Sequence, residues 1–279
     1  MESFISFLNT VTSADRIGFV CLCLAFAIVL EAFIPLFEFK GQKFKHVTRN
    51  LVFVLTTGVV TIVLAYLAFE VIRIEDYGYG LLNLVTLPVW VEMLLSLIVL
   101  DFFGQYFIHV CLHHNKWLWK LHLVHHSDHK VDTTTANRHH PLESFIRFGF
   151  TLFGVFIIGA NMGIVMLYQS LSLVLTQFNH ANIKLPKKLD LFLSYFIVSP
   201  DMHKTHHHYR LPYTDANFGN IFSFWDRLFG TYLPFDREKL VYGVDVFFDE
   251  EANGKIKTLL KQPFQTYSKP TLAPETEIK

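Results

Sequence analysis

The chain has 279 residues, is 52% hydrophobic and 17% charged, holds 29 Phe, and balances 24 Lys and Arg against 24 Asp and Glu. An ordinary soluble domain carries roughly 25% charged residues, so this much apolar side chain calls for lipid or an unusually large core. Zero net charge and the lack of a basic domain exclude nucleic acid as a partner. Cys21, Cys23 and Cys111, an odd set without CxxC spacing, argue against a disulfide framework or a thiolate metal site.

In chain order, a short segment of mixed polarity (1–16) precedes an apolar run from Ile17 to Phe37 that only Glu31 interrupts. The run is long enough to cross a bilayer core of about 30 Å, and it reads as an uncleaved anchor. A basic loop follows with Lys40, Lys43, Lys45 and Arg49, which the positive-inside rule places in the cytoplasm. His46 in this loop reads as structural. Leu51 to Ile72 is a second span, with Arg73, Glu75 and Asp76 on the outer side. Leu81 to His109 is a third, interrupted near its end by Asp101, a carboxylate costly in lipid unless it faces the protein. Phe145–Ile158 and Ile164–Gln177 read as short apolar segments forming a hairpin. Leu189 to Val198 lies at the interface or in the core. Residues 212–234 suit a membrane-surface cap, and the polar tail from Ser268 reads as poorly ordered. Trp117 and Trp119 read as interfacial anchors, and Trp225 as packing for the cap.

The expected fold is therefore an all-α, multi-pass integral membrane protein with about four transmembrane helices or hairpins and a cytoplasmic, histidine-rich helical cap. Residues 1–100 form the anchor spans, 101–235 the catalytic region and 236–279 a C-terminal extension, all in one structural unit. Counting crossings brings every histidine group to the cytoplasmic face.

Of 15 His, all but His46 fall between His109 and His208. His109 and His113 are four apart and share a helix face. His122, His125 and His126 have i, i+3, i+4 spacing, and His203, His206 and His207 repeat it. A helix can aim such a triplet at one point, so a pair, two triplets and His180 give nine converging imidazoles. A solvated histidine-rich surface is the plainer alternative, but the repeated spacing beside apolar spans favours a built metal site. Nine rings are too many for one tetrahedral ion and suit two, without naming the metal. Occupancy should fall below the ordinary imidazole range near pH 6.5. His140 is a further candidate, as a ligand or as a donor beside one. His114, His129, His139 and His208 point off the shared faces. Asp101, Arg138 and Asn179 are the catalytic candidates, as residues that support ligand rings; Asp101 would do so by holding a ring through its second nitrogen. Asp226 is a further supporting or structural candidate.

At these residues the sequence resembles the fatty acid hydroxylase/sterol desaturase superfamily, and it closely resembles the bacterial sterol-desaturase-like branch. The resemblance rests on HVCLH, HLVHH and HKTHH, on the surrounding LHLVHHSDHKVDTTTANRHHPLE, and on QFNHANIKLP, SPDMHKTHHH and NFGNIFSFWDRLFGTY, covering roughly 101–232. It implies a non-haem di-iron centre held by histidines, a lipid substrate, and O₂-dependent hydroxylation, desaturation or methyl oxidation in a bacterial inner membrane. It also assigns His180 to the histidine that ends the last core helix. Thr176 stands where some relatives carry another histidine, Val110 where many have Arg, and His139 where many have Phe. With no GxGxxG loop or CxxCH motif, electrons must come from a separate ferredoxin, cytochrome b5-like protein or reductase. A membrane zinc hydrolase and a metal transporter or sensor are the alternatives. The first lacks an HExxH base here, and the second would spread its ligands through the membrane.

Overall fold

The computed structural model describes residues 2–71, 78–266 and 269–273. The fold is all-α, and apart from isolated bridges such as Pro35 with Ile183 the described residues hold no strand. A first helix, α1 (Glu2–Thr10), packs against α8, and α2 (Ser13–Phe33) follows behind a capping box in which Thr12 and Asp15 satisfy each other's backbone N–H groups. Next come α3 (Lys43–Ala65), α4 (Val89–Asp101), α5 (Ile108–His114) and α6 (Lys116–His126). A hairpin of α7 (Pro141–Ile158) and α8 (Met162–His180) is followed by short helices α9 (Lys187–Leu193), α10 (Pro200–His206), α11 (Phe224–Leu228) and α12 (Ile256–Lys261).

Three helical stretches are long and apolar enough to cross a membrane: Lys43–Ala68, Val89–His114 and Pro141–Ile158. The first expected span contributes a shorter apolar stretch, Ile17–Phe33. The outer loop expected at Arg73, Glu75 and Asp76 lies outside the described residues. The α7–α8 hairpin is longer than its apolar segments suggested, at 18 and 19 residues. Polar residues extend both helices at their histidine ends: Pro141 sits at the first helical position of α7, and Gln177, Asn179 and His180 are buried at the end of α8. The turn between them needs Gly159, which has φ 73° and sits so close to the Tyr79 carbonyl that a Cβ would fall 2.6 Å from it.

Two local features aim the histidines. A π-helical turn over Phe102–Phe107 joins α4 to α5, and such insertions rotate the downstream helix relative to a plain α-helical continuation. Asn115 then breaks the chain with extended backbone (φ −95°, ψ 118°), and its side chain caps α6 through the N–H groups of Trp117 and Leu118. The two histidine-bearing helices α5 and α6 thus fold back on each other. Of the tail from Ser268 only residues 269–273 are described, and there Leu211 pairs with Thr271 and Ala273 through two backbone hydrogen bonds, 3.0 and 2.7 Å long.

Glu31, the single break in the first apolar run, is a buried tie. Its Oε1 accepts from the backbone N–H groups of Thr133 (2.7 Å) and Asn182 (2.9 Å), and Oε2 accepts from Lys43 (3.0 Å). One carboxylate therefore fastens α2 to the loops that follow α6 and α8. Truncation strands two buried N–H groups, each costing roughly 1–3 kcal/mol. Glu31→Ala should lower the thermal midpoint of the detergent-solubilised protein by several degrees, while Glu31→Gln, which keeps one acceptor, should lose less; equal midpoints for all three proteins would refute the tie.

Candidate metal centre

Nine imidazoles from α5, α6, α8 and α10 and its end converge in two buried groups. In the first, His109, His113, His122, His126 and His206 place one ring nitrogen each within 4.8 Å of one another. In the second, His125, His180, His203 and His207 do the same. The groups adjoin, with the His126 and His207 rings stacked at 4.7 Å between centroids. The i, i+3, i+4 triplets split between them: His122 and His126 go to one group and His125 to the other, while His206 parts from His203 and His207.

The proton positions follow from the partners, because a carbonyl or carboxylate can only accept. His109 donates from Nδ1 to the Phe218 carbonyl (2.9 Å), His113 to Asp215 (3.0 Å), His122 to Glu143 (2.8 Å) and His206 to the Ala216 carbonyl (2.7 Å). In each of these neutral rings the Nε2 is left with a bare lone pair. Yet His109 Nε2 and His122 Nε2 face each other at 3.1 Å, and Nε2 of His113 and His206 and both nitrogens of His126 are buried without any partner. The second group repeats this. His180 donates from Nδ1 to the Thr176 carbonyl (2.8 Å) and Asn179 Oδ1 (2.6 Å), so its Nε2 has only a lone pair for His125, His203 and His207 at 3.1, 3.1 and 3.2 Å. At most one of those three could donate to it. Facing lone pairs repel unless a cation lies between them. Nitrogens bound about 2.1 Å from one ion stand about 3.0–3.4 Å apart, which is the spacing seen. The residues therefore fit a metal in each group.

Burial sets the protonation. Desolvation, followed by repulsion from neighbouring rings, holds His125, His126, His203, His206 and His207 well below the ordinary imidazole range. His122 is pushed down to about 3 by the same burial, although the Glu143 carboxylate opposes it.

Glu143 was not foreseen from the sequence. Its Oε1 receives His122 Nδ1 and Arg147 Nε, both at 2.8 Å, and lies 3.0 Å from His139 Nδ1. His139, expected to point away, stacks on His125 at 4.6 Å. Asp215 was also missed. The signal for Glu143 was present, since it is a carboxylate in an apolar helix, as Asp101 is, although it lies in the first turn and Asp101 at the end.

The other candidates are placed as follows. Asn179 holds His180 and is itself held by Asn220 (3.0 Å). Asp101 touches no imidazole. It accepts from the N–H groups of Ile221 and Phe222 and from Trp225 Nε1 (3.0 Å), so its role is to fold the loop that supplies the Ala216 and Phe218 carbonyls. Asp226 does the same from within that loop, accepting from the N–H groups of Phe218 and Gly219 at 2.7 and 2.9 Å. Arg138 is fully buried but apart from the rings, donating to Val124 O, Asn50, Ser127 and Asn253 O. His140 stands outside both groups, because as the cap of α7 its ring accepts from the Leu142 N–H and its Nε2 meets the Leu260 carbonyl. His46 pairs with Asp128 at 2.9 Å, away from the centre. Trp119 is no interfacial anchor: it is buried against His113 and His126, while Trp117 is 66% exposed.

A cavity of about 390 Å³ adjoins the centre. It is lined by His109, His125, His180 and His203 together with Val20, Val54, Gly58 and Ile62 of α2 and α3.

Acid should unfold the metal-free protein early. The six rings outside the spans titrate lower in the folded chain than their ordinary 6.5, so the unfolded chain binds more protons below that value. Stability is then full above about pH 6.5 and declines as pH falls toward 3. A chelator-stripped sample should show a melting midpoint that drops through this window, and a flat profile from pH 7 to 5 would contradict the burial of neutral rings.

The fatty acid hydroxylase family model matches residues 93–231, which contain all nine rings. Among curated proteins, the chain is 25% identical over 146 residues to an ornithine lipid hydroxylase from Rhizobium tropici, covering 52% of this chain and 43% of that protein. It is 32% identical over 156 residues to a sphinganine C4-monooxygenase from Arabidopsis thaliana, covering 54% of this chain and 58% of the relative. It is 29% identical over 214 residues to a very-long-chain aldehyde decarbonylase from Oryza sativa subsp. indica, covering 75% and 73%. The chain thus spans about half the length of the first two. No solved structure matches it.

Proposed function

We propose, from the premise that this chain belongs to the fatty acid hydroxylase family, that it is an O₂-dependent membrane lipid oxidase whose nine imidazoles hold two iron ions. The observation that carries this reading is the set of Nε2 lone pairs turned on one another beside a cavity that runs between helices of the membrane region. His109, His113, His122, His126 and His206 would hold one ion, and His125, His180, His203 and His207 the other. Such a bound pair supplies the oxidising power from O₂ that breaking an unactivated C–H bond requires and that side chains lack.

The protein's own part is placement. Glu143, Asp215, Asn179 and the carbonyls of Ala216 and Phe218 fix each ring by its far nitrogen, and such outer partners also raise ligand basicity. The cavity would hold one carbon of the lipid against the centre and keep bulk water away. The names of the matched relatives, which hydroxylate an ornithine lipid and oxygenate sphinganine, support a lipid substrate. The basic loop before α3 supports a cytoplasmic position for the centre. Electrons would reach it from a separate ferredoxin, cytochrome b5-like protein or reductase.

Protein expressed with added iron should carry about two Fe per chain, and His180→Ala, which removes the ring shared by three contacts, should leave about one. Lipid extracts incubated with the enzyme and a reducing partner should gain one oxygen or lose two hydrogens only in air. Equal product under argon would end the oxidase reading. Gly58 lines the cavity and a Cβ there meets nothing within 4 Å, so Gly58→Leu should fold and keep its metal. It should lose at least tenfold in turnover by filling the channel; wild-type rates would remove the cavity from the substrate path.

A further inference from the structure

We propose that Arg147 clamps an anionic oxygen at the polar end of the substrate, so that the carbon oxidised lies within a few bonds of that end. The proposal rests on the oxidase reading for the word substrate, but not for the binding of such a group.

Arg147 lies within the apolar α7, one turn beyond Glu143, and lines the cavity. Its Nε is engaged by Glu143 at 2.8 Å, and no described residue accepts from its two terminal nitrogens. Its side chain is 18% exposed. A guanidinium offers five N–H donors in a fixed fork suited to carboxylate or phosphate oxygens. Here the fork's inner edge is fixed and its outer edge is open.

A second donor faces the same space. Tyr168 is 2% exposed, lines the cavity, and its Oη has no hydrogen-bond partner. That hydroxyl presses on Gly104, where a Cβ would collide with it and would lie 2.9 Å from Thr151 Oγ1. Thr151 has already committed its proton to the Arg147 carbonyl (3.1 Å). Glycine in the π-helical turn thus makes room for a phenol whose hydroxyl has Gln105 and Ser172 beside it. A guanidinium whose outer donors open on a cavity calls for a ligand that brings acceptors. A plain alkyl chain would leave the outer edge of the guanidinium unmatched.

Position then limits where the ligand reacts. One carboxylate, Glu143, separates the guanidinium from the His122 ring, and the cavity wall that holds Arg147 also holds His109, His125, His180 and His203. Arg147 is six residues into α7, about 9 Å from its start at the histidine end. That is the depth of a lipid's polar end rather than of its terminal methyl. The apolar remainder of the ligand would run toward Val20, Val54 and Ile62.

The test is displacement of tritiated palmitate from iron-loaded full-length protein in nonionic detergent by hexadecyl phosphate, hexadecanol and hexadecane. The wild type should favour at least one anionic competitor over hexadecanol by tenfold or more. Stronger displacement by hexadecyl phosphate than by unlabelled palmitate would identify a phosphate ester as the group, and the reverse a carboxylate. R147Q should bind anionic and neutral chains alike, R147K should recover part of the preference, and Y168F should weaken it less. Equal binding of hexadecanol and the anions by the wild type would overturn the clamp, as would an unchanged preference in a metal-loaded R147Q. Mass-spectrometric mapping of any product oxygen to mid-chain or to the methyl end would overturn the placement. Charge-selective binding without O₂-dependent product would sink the oxidase reading and leave the clamp standing.

Discussion

Everything in this fold answers to one electrostatic constraint: nine neutral imidazoles share a buried volume with lone pairs directed at one another. No arrangement of their own protons can satisfy that. In the first group four rings have their proton tied up on the outer nitrogen, and in the second His180 turns a single lone pair toward three neighbours. Packing alone would favour replacing such rings with apolar ones. The cost is reasonable only where a cation converts repulsion into bonding, so the energetics of the core and the chemistry of the centre are the same question.

The outer partners explain why the chain is built as it is. The 216–226 loop is far from α5 in sequence, yet it presents the Phe218 carbonyl to His109 and the Ala216 carbonyl to His206. Two buried carboxylates, Asp101 and Asp226, hold its backbone N–H groups. A chain of fixed acceptors thus runs from α4 through the loop to the rings. Rigidity here matters because a ligand ring free to rotate would also be free to choose the other tautomer.

What could be read from the sequence was what repeats locally. The spacings of His109 with His113, and of the two triplets, depend only on helix periodicity, so they identified rings that the structure gathers. The apolar runs did the same for the spans. What escaped depends on contacts across distance. Asp215 meets His113 from 102 residues away and Glu31 meets Thr133 from another 102, and neither pairing leaves a local trace. His140 shows the converse. Its neighbours resemble ligands, but Pro141 starts a helix there, and a residue in the cap position turns its ring to the helix's own N–H groups. Asp101 was found by the right rule and given the wrong partner, since a buried carboxylate needs donors of some kind and backbone N–H groups serve as well as an imidazole.

The same reasoning separates the two polar environments inside the membrane region. The outward surfaces carry Phe145, Phe153, Phe156, Leu55 and Val59, as lipid requires, and only 11% of the α3 span is buried. Yet α3 also turns Thr57 and Thr61 inward to the cavity, and α7 turns Ser144, Arg147 and Thr151 toward it. A helix that is apolar outside and polar inside is the reverse of a soluble one. It makes sense when the interior must receive a molecule with a polar end drawn from the bilayer. Of the three long apolar helices, α3 is the least buried, at 11% against 39% for Val89–His114 and 28% for Pro141–Ile158, yet it lines the cavity with Val54, Thr57, Gly58 and Thr61. These positions on α3 are separate from the rings, so side chains there can vary without disturbing the two histidine groups.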